Sequence, residues 1–203
     1  MTRRSLASWL AILVFLAAPQ IAGAQSASSK PGSFINEFSQ RGIADILAAE
    51  IPEEEKQQRF REMFKEYFDL PYIGRFVLGR YWRLTSDEQK ESFGDLFEDV
   101  IVQTWSRRFS EYDGQTLNVI STVSDGDDGA IVKSQIVGDG GTNINVDWRL
   151  RQRQSGFQVV DVVVEGVSMA ITYRQEYSTI ISRSGGFDAL LQEMRKQVGN
   201  PLA

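Results

Sequence analysis

One serine lies in a setting that could support nucleophilic catalysis. Residues 166–170 (GVSMA) follow a predicted strand, and their spacing is similar to the G-x-S-x-G elbow that exposes a nucleophilic serine. However, Ala170 occupies the place of the second glycine, and the chain contains no histidine that could act as a base for Ser168. A serine–lysine pair stays formally open, although nothing in the sequence places a lysine beside Ser168. A tight turn between a strand and a helix is therefore the favoured interpretation.

A second candidate is the acidic stretch of residues 124–129 (SDGDDG), in which Asp125 and Asp127 alternate as they do in a calcium-binding loop. The calcium-binding pattern also needs a further oxygen ligand and then a glutamate, where this chain has Gly129 and Ile136. The stretch therefore favours a turn between two strands over a calcium site.

A third candidate is a pair of carboxylates, Asp161 and Glu165, four residues apart on one predicted strand and imaginable as an acid–base pair. Hydrogen bonding to neighbouring backbone is the favoured alternative, because an unpaired buried carboxylate is costly. The chain has no cysteine, which excludes disulfides, thiolate metal sites and thiol nucleophiles. The sequence therefore predicts no catalytic residue, no metal site and no cofactor.

The charge balance argues against one class of partner. The chain has 22 lysines and arginines against 27 acidic residues, and its formal net charge is −5. Loss of Arg3 and Arg4 with the N-terminal segment would make this charge −7. Nucleic-acid binding needs a clustered basic face, so no nucleic-acid partner is predicted.

The N-terminus has the composition of a secretory signal peptide. Residues 2–4 (TRR) supply positive charge, residues 6–18 form a short apolar run, and residues 22–24 (AGA) form a small-residue cleavage site. We predict a signal peptide over residues 1–24, cleaved after Ala24. The paired arginines leave both general and twin-arginine export open. A flexible lead-in of residues 25–32 and a single domain of residues 33–198 are predicted to follow.

Residues 143–169 predict a hairpin at the middle of a sheet. Two alternating apolar sets fall on common faces of its strands: Ile144, Val146, Trp148 and Leu150 on the first, and Val160, Val162 and Val164 on the second. The opposite face of the second strand carries Val159, Asp161 and Val163. A strand that is apolar on nearly both sides is covered on both sides, so Asp161 needs hydrogen-bond partners.

The remaining patterns predict helices before and after four strands. Ser33 is predicted to cap the first helix, Pro52 to lie in the first turn of the second, and Ser86 with Gln89 to form a capping box. Further strands are predicted over residues 116–123 and 130–137, and further helices over 72–79, 173–182 and 187–198. This order predicts an α+β fold, with helices over one face of a curved, four-stranded antiparallel sheet.

The sequence contains many large aromatic side chains for a sheet of only four predicted strands. The set comprises Phe64, Tyr67, Phe68, Tyr72, Phe76, Phe93, Phe97, Trp105, Trp148, Phe157 and Tyr173. These side chains either fill the space over the sheet or line a cavity there, and composition does not choose between the two.

Two separate stretches resemble signatures of one protein family. The first is residues 76–82 (FVLGRYW) followed by residues 85–90 (TSDEQK). The second is residues 146–151 (VDWRLR) with residues 160–169 (VDVVVEGVSM). Both resemble the MlaC or toluene-tolerance family, which are periplasmic phospholipid-binding subunits associated with an ABC transporter. The resemblance extends from about Phe34 to Val198, essentially the whole mature chain.

This resemblance implies a fold like that of nuclear transport factor 2, with extra helices at both ends. The family holds the acyl tails of a phospholipid between sheet and helices and leaves the head group near solvent. Its members carry lipid between an outer-membrane lipoprotein–porin complex and an inner-membrane ABC transporter complex. No catalytic residues are implied. One subgroup is encoded with hopanoid biosynthesis, so a hopanoid-like lipid stays open as the cargo.

The face assignments and the resemblance together predict a set of lipid-contacting side chains. These candidates are Phe76, Val77, Val100, Ile101, Trp105, Trp148, Val160, Val162, Val164, Met169 and Tyr173. A second set could line the rim and meet phosphate or partner carboxylates, or could form a solvated helix face: Arg75, Arg80, Arg83, Arg107 and Arg108.

Two other function classes compete with a lipid carrier. An enzyme on this fold would need Asp161, Glu165 or Tyr173 in an open polar pocket at the cavity floor. A structural adaptor that recruits a transporter would have a filled core and no ligand. A lipid carrier, an enzyme and an adaptor therefore differ in what the space over the sheet contains: an apolar cavity, a polar pocket or a filled core.

Overall fold

The computed structural model describes residues 30–110, 112, 114–138 and 143–199, without the side chains of residues 108–110. The predicted signal peptide, residues 25–29 of the predicted lead-in and the Arg108 side chain lie outside the described part. Within these ranges, no helix has both the length and the apolar composition needed to cross a membrane.

The elements follow the predicted order of helices, strands and helices. The helices are α1 (Pro31–Arg41), α2 (Glu53–Tyr67), α3 (Leu70–Leu78), α4 (Asp87–Ser110), α5 (Met169–Arg183) and α6 (Phe187–Gly199). The strands are β1 (Thr116–Ser124), β2 (Gly129–Val137), β3 (Asn143–Arg153), β4 (Gly156–Val164) and β5 (Val167–Ser168). A π-helical segment, Gly42–Leu47, follows α1, and a 3-10 helix, Gly79–Arg83, follows α3. The predicted α+β class is confirmed.

The sheet is an antiparallel meander in which each strand pairs with the next, in the order β1-β2-β3-β4-β5. It has five strands where four were predicted, because a two-residue turn adds the short β5. Glu165 and Gly166 form this turn with φ angles of 48° and 80°, the left-handed pair that a type I′ hairpin requires. Trp148 lies at the centre of the sheet, opposite both Val132 and Val162.

A register shift in the β3–β4 ladder corrects one predicted face. Arg149 pairs with Asp161, but the next residue, Leu150, pairs with Val159, so Val160 is the extra residue of a β-bulge. Val159 therefore takes the place beside Leu150 in the main core, where both side chains are fully buried. The prediction that Val160 shares a face with Val162 is wrong, since strict alternation does not allow for a bulge.

The helix starts were predicted with mixed success. The capping box of α4 is confirmed: the Ser86 backbone N–H donates to Gln89 Oε1 at 3.1 Å, and the Gln89 N–H donates to Ser86 Oγ at 3.2 Å. The predicted cap at Ser33 is wrong, because α1 already begins at Pro31. Proline suits the first helical position, where its fixed φ is helical and no N–H is needed.

The helices α1, α2, α3 and α5 contact the sheet, which contributes Val132, Val146 and Leu150 to the core, and α4 packs against α2, α3 and α6. An ion-pair cluster joins α2 to α4 outside that core. Arg61 contacts Glu98 at 2.7 Å and Asp99 at 2.8 Å, and Lys65 contacts Glu98 at 3.3 Å. Partial burial raises the pKa of Glu98, but the hydrogen bonds from Arg61 and Lys65 outweigh it and leave the pKa below the ordinary 4.5.

We expect this cluster to make folding stability sensitive to acid. A lowered carboxyl pKa stabilises the fold above the unfolded-state pKa, and this contribution is lost as pH falls below about 4.5. In urea denaturation at several pH values, the free energy of unfolding should therefore fall less steeply with decreasing pH for Glu98→Gln than for the unchanged protein. Glu91→Gln, at an exposed position of α4, is the matched control. The same dependence of the unfolding free energy on pH in Glu98→Gln and Glu91→Gln would contradict the stabilising role of the Glu98 ion pairs.

Candidate functional site

A large cavity lies between the inner face of the sheet and the helices over it. Its volume is about 620 Å³, within the range of roughly 300–1,000 Å³ that is usual for ligand sites. We call it the outer chamber. The helical wall comprises Phe38, Ser39, Gly42, Ile43, Ile46, Leu47, Phe60, Met63, Thr104, Trp105, Met169 and Tyr173. The remaining wall comprises Tyr112, Gln115, Thr116, Leu117, Ile136, Ile144, Val146, Trp148, Val162 and Val164.

A second, smaller hollow of about 70 Å³ adjoins the first and is called the inner chamber. Six residues line both chambers: Phe38, Trp105, Trp148, Val162, Met169 and Tyr173. The rest of the inner wall is formed by Phe64, Phe68, Leu70, Ile73, Phe97, Ile101, Asp161 and Ala170. Rings dominate it: Phe64 and Phe68 stack at a centroid distance of 3.8 Å, and Phe97 meets Tyr173 edge-on at 6.4 Å.

The structure brings seven of the eleven predicted site residues to these chambers. They are Ile101, Trp105, Trp148, Val162, Val164, Met169 and Tyr173. The other four lie elsewhere, for reasons of local geometry. Val77 and Val100 are almost fully buried between helices in the core, and Val160 is displaced by the bulge. Phe76 is half-buried beneath the guanidinium of Arg174, whose central carbon lies 5.2 Å from the ring centroid.

Sequence reasoning missed the contribution of the N-terminal elements. Residues of α1 and the π-helical segment line the outer chamber, as does Met63 of α2. Their helical spacing was visible in the sequence, but it did not show which packed layer they would join. A π-helix is wider than an α-helix and is often found at functional sites. Here it presents four of its six residues to the cavity: Gly42, Ile43, Ile46 and Leu47.

The polar atom of Trp148 is satisfied within the wall. Its indole N–H donates to Ser134 Oγ at 2.9 Å, and the Ser134 hydroxyl donates to the backbone carbonyl of Val146 at 2.9 Å. Ser134 is buried, so these two hydrogen bonds satisfy the indole N–H and the hydroxyl group where bulk water does not reach. The ring of Trp148 therefore presents hydrocarbon to the chambers.

The serine of the elbow-like stretch is a helix cap. Ser168 Oγ accepts the backbone N–H of Ile171 at 3.1 Å and donates to Asp161 Oδ2 at 2.6 Å. Asp161 Oδ1 accepts the backbone N–H of Ala170 at 3.0 Å, and Arg149 lies 3.7 Å from Oδ2. The favoured turn is thus confirmed, and α5 begins at Met169, four residues earlier than predicted. Asp161 has the hydrogen-bond partners that its burial required.

The two other acidic candidates are also engaged in structural contacts. Glu165 is exposed and lines neither chamber, and its carboxylate accepts from the backbone and side-chain N–H groups of Asn145. The Asp125 carboxylate forms an ion pair with Arg151 at 2.7 Å, and the same guanidinium lies 3.9 Å from Asp128. Among the described residues, no group of three or more potential ligands could hold a metal ion.

The arginines proposed for the rim lie away from the chamber walls. Arg75, Arg80, Arg83 and Arg107 are exposed, and none of them lines either chamber. Arg80 instead packs over the ring of Tyr81, with 4.9 Å between its guanidinium carbon and the ring centroid. Their positions fit the alternative of a solvated surface.

Tyr177 is a polar group buried just behind the site. Its ring lies 5.9 Å from that of Tyr173 and packs edge-on against Phe93 and Phe97. Burial raises the pKa of Tyr177 far above its usual value, and its hydroxyl has no hydrogen-bond partner within the described structure. The phenol therefore stays neutral and lies outside both chambers.

The fold and the cavity define an α+β binding protein for an apolar or amphipathic ligand. The family model described as MlaC protein matches residues 36–196, and the chain belongs to that family. The chain is 26% identical over 206 residues to the intermembrane phospholipid transport system binding protein MlaC of Haemophilus influenzae, covering 97% of this chain and 96% of that protein.

Two further comparisons agree with this membership. Toluene tolerance protein ttg2D of Pseudomonas putida is 24% identical over 106 residues, which cover 52% of this chain and 49% of that protein. The structure of the phospholipid-binding protein from Ralstonia solanacearum in complex with a phospholipid matches with a TM-score of 0.74. That match covers 85% of this chain and 98% of the other at 18% identity, so it concerns the fold.

The role of Ser168 can be tested by removing its hydroxyl. Ser168→Ala takes away the helix cap and the donor to Asp161, so we expect a loss of roughly 1–2 kcal/mol in the free energy of unfolding, measured with urea. Ser168→Thr keeps the hydroxyl and should stay close to the unchanged protein. Covalent labelling of Ser168 by a fluorophosphonate would reveal a nucleophile and contradict the capping role.

Proposed function

We propose that this protein is a soluble periplasmic carrier that holds phospholipid tails in the two chambers. The observation that carries the proposal is the apolar outer chamber, which is of ligand size and lies between sheet and helices. Its described lining contains no charged residue, and its polar groups are the side chains of Ser39, Thr104, Tyr112, Gln115, Thr116 and Tyr173 and the indole N–H groups of Trp105 and Trp148. Such a wall suits hydrocarbon tails and offers few directional bonds.

The energetic need for a carrier follows from the hydrophobic effect. Burial of one methylene is worth roughly 0.8 kcal/mol, so two tails with about thirty methylenes face a cost on the order of 20 kcal/mol in water. A carrier must replace most of that burial and still release its lipid. A cavity without deep charges or strong directional bonds meets both needs, because its affinity approximates that of the membrane instead of exceeding it.

The charged head group should remain at the opening of the outer chamber. A buried phosphate would need cationic or hydrogen-bonding partners, because desolvation of an unpaired charge is costly. The described chamber walls offer it no lysine or arginine. Tail burial therefore supplies the affinity, and the head group stays in water.

The proposed partners follow from family membership. The named relative belongs to an intermembrane phospholipid transport system. We propose that this chain exchanges lipid with an inner-membrane ABC transporter complex and an outer-membrane lipoprotein–porin complex. We further propose that it has no catalytic activity, because Asp161 and Ser168 are engaged in capping contacts and Glu165 lines neither chamber.

Two adjacent valines of β4 provide a matched test of the cavity. Val164 lines the outer chamber, whereas Val163 lies on the other face of the sheet and pairs with Asp147, and both valines are half-buried. We expect Val164→Glu to reduce the phospholipid recovered per protein by at least roughly fivefold, since a carboxylate in the chamber must be desolvated. Val163→Glu should retain lipid, with a small stability loss from the facing Asp147.

The measurement is organic extraction of the purified proteins followed by lipid mass spectrometry. Circular dichroism and thermal melting should show that both variants are folded. Equal lipid content in the two variants would contradict the assigned cavity wall. An unchanged protein that yields no lipid, and that fails to extract phospholipid from vesicles, would overturn the proposed function.

Export can be tested independently of lipid binding. When the full chain is expressed in a Gram-negative host, we expect the periplasmic protein to begin at Gln25, because residues 22–24 present small side chains to signal peptidase. Intact-mass measurement identifies the N-terminus. Replacing Ala22 and Ala24 together with leucine should block cleavage, whereas Ala27→Leu, the same change beyond the cleavage site, should not. Retention of residues 1–24 in the exported protein would contradict the prediction.

A further inference from the structure

We propose that the inner chamber admits the end of a single acyl tail and sets the longest tail that the carrier shelters completely. This inference rests on the proposed function, since it concerns how the lipid is seated. The supporting observations are the unequal sizes of the two chambers, the six residues that line both, and the aromatic wall at the inner end.

The size of the inner chamber limits its occupant. A water molecule takes up about 30 Å³ of the liquid, so a chamber of about 70 Å³ holds only a few groups of methylene size. That room suits the end of one tail and is too small for the ends of two. The outer chamber, at about 620 Å³, must hold the second tail and the first part of the deeper one.

The chemistry of the inner wall selects a plain hydrocarbon end. Phe64, Phe68 and Phe97 present rings, and Ile73 and Ile101 present aliphatic carbon. The one carboxylate, Asp161, already accepts from Ser168 and Ala170 and lies near Arg149. Vacant apolar space forfeits dispersion contacts on every lining atom, so a methyl-terminated chain gains by entering.

Tail length should then affect partition between membrane and carrier in a characteristic way. A methylene that is buried in both places leaves the partition unchanged. A methylene that the carrier leaves in water disfavours the carrier by about fourfold, which is the equilibrium equivalent of burying one methylene. Uptake should therefore be nearly independent of length up to a cutoff and fall by about fourfold for each methylene beyond it.

Two substitutions at one position move the cutoff in opposite directions. Ile101 of α4 lines the inner chamber and does not line the outer one. Ile101→Phe reduces the room there and should shift the cutoff to shorter tails. Ile101→Ala enlarges the chamber and should shift the cutoff to longer ones. Ile120→Phe, the same kind of change at an exposed position of β1 that lines neither chamber, is the matched control. Ile136→Phe adds the same ring to the outer chamber and serves as a comparison for the effect of total volume.

The experiment uses vesicles that contain equal amounts of a homologous series of phosphatidylcholines, with tails that lengthen by two carbons at each step. The purified proteins are equilibrated with these vesicles and separated from them, and the bound species are quantified by mass spectrometry. We expect the cutoff to lie at shorter tails for Ile101→Phe than for the unchanged protein and Ile120→Phe, and at longer tails for Ile101→Ala. Thermal melting confirms that each variant is folded.

The outcomes separate this inference from the proposed function. Absence of bound phosphatidylcholine in the unchanged protein would count against the carrier function itself. Bound lipid with one cutoff for all folded proteins would overturn the role of the inner chamber and leave the carrier function intact. A cutoff that shifts equally in Ile101→Phe and Ile136→Phe would show that total volume decides, and would also overturn the inference. If Ile101→Phe does not fold, the shift in Ile101→Ala decides.

Discussion

The buried polar groups of Trp148 and Asp161 find their hydrogen-bond partners within the cavity wall, and the apolar character of the site depends on this. Trp148 donates through Ser134 to the sheet backbone, and Asp161 is held by Ser168 and Ala170. Without these hydrogen bonds, the buried polar atoms would need water or a polar ligand as a partner. The cavity over the sheet can therefore remain apolar although tryptophan, serine and aspartate lie in or behind its wall.

The aspartate contact also connects the sheet to the helix that follows it. The carboxylate of Asp161 and the hydroxyl of Ser168 together satisfy two backbone N–H groups in the first turn of α5, where a negative charge is favoured by the helix dipole. This attachment fixes the position of Met169, which lines both chambers. A residue pair that resembled catalytic machinery thus serves to position a wall of the cavity.

The cavity is narrow at the inner chamber, with a volume of about 70 Å³, and wide at the outer one, with about 620 Å³. Close aromatic packing of Phe38, Phe64 and Phe68 fills the space near α2 and α3. At the π-helical segment, Ile43, Ile46 and Leu47 contribute aliphatic side chains to the wall of the outer chamber. This difference between the two chambers supports a carrier that binds its ligand through the hydrocarbon tails and releases it without breaking strong polar bonds.

The order of amino acids alone specifies the class of fold, the central hairpin, the capping box at Ser86 and the apolar face around Trp148, because these follow from local periodicity and backbone hydrogen bonding. It also carries the family resemblance. Whether the aromatic supply fills a core or surrounds a hollow is settled in three dimensions, since that depends on how far the helices lie from the sheet. The bulge at Val160 and the part of the N-terminal helices in the wall are settled there too, because register shifts and layer packing depend on contacts between residues distant in sequence.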